Sequence, residues 1–507
     1  MRNRRTFSWT STFLLVGVTA LLAGASAVAN ADDIPAQPIP QNPNDLASVP
    51  HFIGHRAHPH RVHSFHVPQN PFMAPDPNNN IHNDAYMTDA YRRGGPLGRN
   101  IEVTSTDQNA DCASVTFDRA GRIVTVCVGA QGPRLMLMDA ETLATKATFP
   151  LPPRSGAGTG SGIFNDFSGG GYFYLDHKYR AVIPTTTRQI WVVRETKSSS
   201  GRGFETARTY DLSDDVPVGE ALVSVLPDWS GRLWFIGTKG TVGTVGRRSG
   251  RVRTISLDGE ANANSFAVDK QGGVYIVTDH ALYRFDAVRR GRPKVTWRAR
   301  YDRGSRVKPG QASQGSGTTP TVIGRRYVAI TDNADPRMHV LVYERTKRRA
   351  GARLVCKEPV FRPRHGNTDQ SLIAVGHSLI VENNYGYSGP TATRGGATTT
   401  RGIARVRFSH RGCKTAWVSR ERAPSVVPKA SLRNGLIYTY TKPPRPDDEV
   451  DAWYLTAINY RTGRTVFKKL AGTGLGFNNN YAPVTLGPGG AAYVGALGGL
   501  VRLSDRP

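Results

Sequence analysis

From Ile101 onward the chain is a succession of short apolar runs separated by glycine-bearing turns, and the succession repeats. The clearest copy runs from Ser265 to Pro293 and beyond. An apolar strand, Phe266 to Val268, is followed by the turn Lys270 to Gly273 and a second strand, Val274 to Thr278. The loop Asp279-His280, a third strand, Ala281 to Phe285, and a fourth, Val295 to Ala299, complete the unit. The first turn of this unit recurs at Gly121, in divergent form near Lys178, and at Gly231, Gly272, Gly324, Gly376, Gly435 and Gly489, at intervals of 41 to 59 residues. Four-stranded units at a period of roughly 40 to 50 residues are the signature of a β-propeller. Eight marks predict an all-β fold, a single β-propeller of about eight four-stranded blades over residues 101–507, with seven the main alternative. The last unit ends one strand short after Leu500 to Leu503. Ile101 to Ser105 is expected to supply that strand and to close the ring without an open edge.

The residues before the ring follow a different pattern. Three arginines within Met1 to Arg5 precede the apolar stretch Phe13 to Ala23, which is too short to span ~30 Å of hydrocarbon. With the small-residue pattern Ala29-Asn30-Ala31, residues 1–31 are expected to be a signal peptide. Asn3 to Phe7 also fits a twin-arginine signal, so both that route and ordinary secretory export stand. Residues 32–100 are rich in Pro, Asn and His without sustained periodicity and are expected to form an extended arm. Within the arm, His51, His55, His58, His60, His63 and His66 are expected on a flexible, solvated tail rather than around a metal. Residues 77–91 combine aromatics, amides and acids, and two readings stand for them: a lid or plug over the ring, with His82 and Asp84 in the site, or a linker packed on the surface.

Charge and cysteine usage refine this picture. The formal charge of +27 becomes +24 once the signal segment and its three arginines are removed, which favours acidic partners. Four cysteines in an exported chain predict two disulfides. Cys112 and Cys127 flank a turn and fall opposite each other in a hairpin, and Cys356 and Cys413 pair by elimination.

In a four-stranded meander, the loops entering each blade share a face with the loops between the second and third strands. Those loops are rich in acids and amides, and they place Asn264, Thr318, Asn333, Asp335, Asn383, Tyr385, Asn479 and Tyr481 around one funnel as candidate ligand-binding residues. Asp332, Asp369 and Glu382 are the candidate catalytic carboxylates. Such a funnel suits three chemistries: oxygen ligation of Ca²⁺, acid–base work by paired carboxylates, and the binding of sugar-like or other polar molecules. Turn propensity alone also places Asn, Asp, Gly and Ser in loops. The loops between the third and fourth strands fall on the opposite face and carry the basic runs Arg247 to Arg253, Arg289 to Arg292 and Lys347 to Arg349.

Leu455-Thr-Ala-Ile-Asn-Tyr-Arg-Thr-Gly-Arg-Thr-Val-Phe467 resembles the blade repeat of the pyrroloquinoline-quinone-like propellers, and segments starting at Met136 and Val245 are weaker copies. The resemblance covers most of the ring and implies the fold. It also implies, by position, a Ca²⁺ site from Glu382, Asn383 and Asp332 or Asp369. No adjacent pair of cysteines occurs, which makes bound quinone the less favoured expectation. No GxSxG, HExxH, Walker A or EF-hand pattern is present either.

The sequence thus predicts a secreted or envelope-associated monomer that binds a polar, carbohydrate-like or hydroxylated ligand in a central funnel, with calcium as the expected cofactor. A quinone- or metal-dependent oxidoreductase and a non-catalytic envelope scaffold are the alternatives. The basic face is expected to meet an anionic wall or membrane surface, and no specific nucleic-acid recognition is expected, because its runs lack interleaved aromatics.

Overall fold

A computed structural model describes residues 33–154, 166, 168–199, 201–346 and 353–506. The expected signal segment and the basic run Lys347 to Arg349 lie outside the described residues.

Eight antiparallel sheets of four ring strands each form an eight-bladed propeller. Blades 1 to 7 are consecutive meanders that begin at Ala110, Tyr174, Leu222, Ala267, Thr321, Ile373 and Lys429. Blade 8 takes three strands from the C-terminus (Val484–Leu486, Ala492–Ala496, Gly499–Ser504). Its outermost strand comes from the start of the ring, Glu102–Asp107, which pairs in register from Glu102 opposite Ser504 to Asp107 opposite Gly499. This is the predicted closure.

All eight marks read from the sequence fall in the turn between first and second strands. Seven are glycines with φ between +52° and +83°, and Tyr179, at φ +60°, takes that conformation in blade 2. A left-handed residue costs glycine nothing, which explains the recurrence. In blades 1 to 4 an aspartate fixes the turn. The Oδ1 atoms of Asp118, Asp176, Asp228 and Asp269 each accept backbone N–H groups two and four residues on. In the first three, the arginine four residues on returns to the same carboxylate.

Both disulfides form as expected. Cys112 and Cys127 are register partners in the first two strands of blade 1, and Cys356–Cys413 joins the outer strands of blades 5 and 6.

The arm is where structure and sequence expectation diverge most. Ile34 bridges to Thr145 of blade 1, and the chain then runs past blade 8 to blade 7, where Phe52–Gly54 adds a strand to the outer edge. From there it crosses the face that carries the first turns. His60 and Val62 donate backbone N–H groups to Asn434 and Leu432 of blade 7, and Ser64 accepts from Gly376 of blade 6. Asn70 reaches the Pro227 carbonyl of blade 3 at 2.8 Å. The histidine tract is therefore pinned to the ring by its backbone rather than free, although most of its imidazoles stay exposed.

Residues 78–91 then enter the central axis and circle it. Their carbonyl oxygens accept N–H groups from the inner strands of blade after blade: Asn78 from Phe117, Asn79 from Leu175, Ala85 from Val268, Tyr86 from Val322, Thr88 from Ala374, Asp89 from Ala430 and Tyr91 from Leu432. Without the plug these donors would need water in the channel as their acceptor, and any donor left buried without one costs about 1–3 kcal/mol. Left-handed φ values at Asn83, Met87 and Asp89 give the segment the curvature it needs.

Candidate functional site

Because the plug fills the axis from the first-turn side, the opposite half of the channel remains as a cavity of about 330 Å³ opening toward the funnel face. Its floor is Ile81 and His82 from the plug. Val126, Val128, Val427 and Leu497 give the lining apolar surface, and Asp369, Gln370 and Ser371 entering blade 6 and Asn264 and Thr319 entering blades 4 and 5 give it polar surface. Asp111, Arg154, Asp166, Tyr172, Asn480 and Tyr481 complete the lining.

A charged network lies beneath the floor. Lys429, on the inner strand of blade 7, is fully buried against Asp89, also fully buried, and its Nζ donates to the Ile81 carbonyl at 2.6 Å. Ser371 Oγ donates to Asp89 Oδ2 at 2.5 Å, and His82 Nδ1 lies 3.1 Å from Asp89 Oδ1. Burial alone would raise the Asp89 pKa, but Lys429 and His82 hold it below the usual carboxylate range. Burial pushes the His82 pKa down, so the ring is neutral. A neutral ring with its proton on Nδ1, facing Asp89, carries a lone pair on Nε2. That Nε2 is buried and has no hydrogen-bond partner among the described residues.

Two carboxyls of the cavity itself are shifted the other way. Burial raises Asp369 to about 7 against the Ala312 N–H that Oδ2 accepts at 2.7 Å. Burial raises Asp111 to about 8 despite the attraction of Arg154. Near neutral pH these groups are wholly or partly protonated donors, and half-buried Arg154 stands among them as a cation whose Nε donates to the Ser168 carbonyl at 2.9 Å.

No family model matches the chain. Over 326 residues, 57% of its length, it is 25% identical to an uncharacterized protein of Archaeoglobus fulgidus, and it spans 62% of that relative's length. Each structural likeness is distant. BamB from Moraxella catarrhalis aligns with 64% of this chain and 93% of its own at 13% identity and a TM-score of 0.38. Streptogramin B lyase aligns with 80% and 97% at 10% identity and a TM-score of 0.37.

Of the residues expected to form the site, Asn264, Asp369, Tyr481 and His82 line the cavity. Asp84 is buried just beside it within the plug, where it accepts the Tyr86 N–H at 2.9 Å; burial lifts its pKa to about 7. The three candidate catalytic carboxylates separate. Asp332 turns outward over blade 5, taking the His339 N–H at 2.6 Å and lying 3.5 Å from Lys357. Glu382 is buried between blades 6 and 7 against Asn384 and Thr439, and burial pushes its pKa well up. Asn384 links it to the Asp369 backbone, which donates to Asn384 Oδ1 at 2.9 Å.

The remaining candidates hold loops together. Thr318 bonds Ser316, Asn333 the Arg303 and Arg306 carbonyls, and Asp335 Ser305 and Lys308. Asn383 bonds the His365 carbonyl, Asn479 the Ala482 carbonyl, and Tyr385 packs edge-on to His365. Among the described residues, no group of three or more His, Cys, Asp or Glu side chains is arranged to hold a metal ion.

Asp111, Arg154, Ser371 and Lys429 went unread in the sequence. Asp111 and Lys429 sit inside strands, where alternation marks a position as inward or outward but does not reveal a shared axis.

Proposed function

We propose that the protein is an exported propeller that binds one small, partly hydroxylated and partly apolar molecule in the axial cavity. The observation that carries this reading is a cavity that combines apolar side chains with protonated carboxyls, amides and a half-buried arginine, over a floor made by the chain's own arm. A volume of about 330 Å³ falls at the small end of the range for small-molecule sites. Two disulfides agree with an extracytoplasmic setting. Hydroxyl groups of a sugar-like ligand would meet Asp369, Gln370 and Asn264, and its less polar face would meet Val126 and Val427.

A second reading, an enzyme working by proton transfer, is supported by His82, whose orientation by Asp89 leaves Nε2 as a base at the cavity floor.

The test is a thermal-shift screen of the mature protein against sugars, polyols and hydroxy acids, with hits measured by calorimetry. A hit should lose at least tenfold in affinity in Asp369→Asn and in Ala113→Phe, which fills the cavity. Binding that both variants leave intact overturns the reading.

A further inference from the structure

A second, independent site lies on the same funnel face, at the rim between blades 5 and 6. A groove of about 760 Å³ runs between their outer strands, Arg353–Pro359 and Gly412–Ser419, which Cys356–Cys413 ties together. Val360 and Phe361 form its floor and half-exposed Val418 one bank. Five arginines line it: Arg337, Arg362, Arg401, Arg420 and Arg422.

Their charge exceeds that of the single carboxylate among the described lining residues, five cations against one anion. The one carboxylate in the lining, Glu358, is engaged by the Thr415 N–H and hydroxyl at 2.7 and 2.8 Å. Nearby carboxylates are engaged elsewhere: Asp332 with His339 and Lys357, Glu421 with Lys468, and Asp451 with Lys442. The cost of the crowding is visible at Arg422, whose pKa is lowered by burial and then by the Arg401 charge. Arg337 Nε is buried without a hydrogen-bond partner among the described residues. Like charges held together on a rigid, disulfide-tied frame are relieved by a ligand that brings several anionic groups, and the guanidinium fork matches sulfate and carboxylate oxygens.

We infer that this groove binds a segment of an anionic glycan, its sulfates or carboxylates on the arginine banks and a sugar face over Phe361 and Val418. A glycan is favoured over nucleic acid because the rings among the described lining residues are exposed His365 and nearly buried Phe361, too few to stack successive bases. It is favoured over a lipid surface because the arginines converge on a concave groove rather than a flat patch. The site moves the expected anionic contact from the opposite face, where the runs at Arg247 to Arg253 and Arg289 to Arg292 lie, to the face that carries the axial cavity.

The full mature protein should be titrated by calorimetry with a heparin-derived hexasaccharide, its desulfated counterpart and a DNA duplex of equal charge. The sulfated hexasaccharide is expected to bind, more weakly as salt rises, and at least tenfold tighter than the desulfated form. A triple variant, Arg362→Gln, Arg401→Gln and Arg420→Gln, should lose at least tenfold. The matching change at Arg248, Arg251 and Arg290 on the opposite face should stay within twofold. Circular dichroism of both variants confirms that they are folded. Equal losses in the two variants, or tighter binding of DNA than of the hexasaccharide, overturn the proposal. Failure of the axial-cavity reading leaves it untouched, because no residue is shared.

Discussion

Asp369 and Asp111 show how burial decides chemistry at the level of one side chain. In the unfolded chain an aspartate loses its proton near pH 4, whereas burial raises these two to about 7 and about 8. Between those values the folded state binds more protons than the unfolded one, so their contribution to stability is present at low pH and is lost as pH rises. Each group contributes a slope on the order of 1.4 kcal/mol per pH unit until its folded pKa is passed. Denaturant melts between pH 5 and 8 should therefore show stability falling with pH, and Asp369→Asn and Asp111→Asn should each flatten that slope. A slope unchanged by both substitutions would show that the two carboxyls are ionised in the fold. Their residue type was readable in the sequence, and Asp369 was singled out there. The protonation state was not, because it depends on packing.

At the scale of the element, the first turn of the blade carries most of what the sequence revealed. Its glycines mark a left-handed position, and the same position doubles as the surface on which the arm docks. Gly435 and Gly272 separate the two roles. Both have positive φ, at +65° and +83°. A Cβ on Gly435 would overlap the His60 carbonyl oxygen of the arm, whereas one on Gly272 meets nothing within 4 Å. Gly272→Ala should cost only the backbone strain, on the order of 1 kcal/mol. Gly435→Ala should cost more and, in addition, raise amide hydrogen exchange at His60 and Val62, whose N–H groups bond blade 7. Equal losses of stability and unchanged exchange in the arm would show that the contact does not hold it. The Asp-centred turns of blades 1 to 4 were likewise present in the sequence. Blade 2 was the divergent copy because Tyr179 takes the left-handed place that glycine holds elsewhere.

For the whole molecule the arm is a structural part of the ring. It belts one face, supplies an edge strand to blade 7 and threads the axis, where seven of its carbonyl oxygens take inner-strand N–H groups and Asp89 neutralises Lys429. Removing Asp33 to Tyr91 would take away those acceptors, the edge strand of blade 7 and the Asp89 partner of Lys429, a loss of about 3–5 kcal/mol for the charge alone where the lysine stays buried. Set against a typical total stability of about 5–15 kcal/mol, the deletion variant is expected to yield no folded monomer by circular dichroism and size-exclusion chromatography. A deletion variant that melts like the intact chain would mean that the ring closes unaided.

The sequence by itself determined the blades, their number to within one, the ring closure and both disulfides. These follow from local alternation, turn chemistry and spacing, which are written residue by residue along the chain. It also placed Asn264, Asp369 and Tyr481 of the cavity lining on the funnel face, because strand phasing fixes the face on which a loop emerges. Only the tertiary structure decided where the arm goes, which carboxylates meet and which turn away, and where arginine collects. Those outcomes depend on contacts between residues hundreds of positions apart, such as Asp89 with Lys429, and on the burial that such contacts create; composition and periodicity describe neither. The arm had two readings in the sequence, plug or surface linker, and the inner-strand N–H groups that donate to its carbonyl oxygens hold it inside.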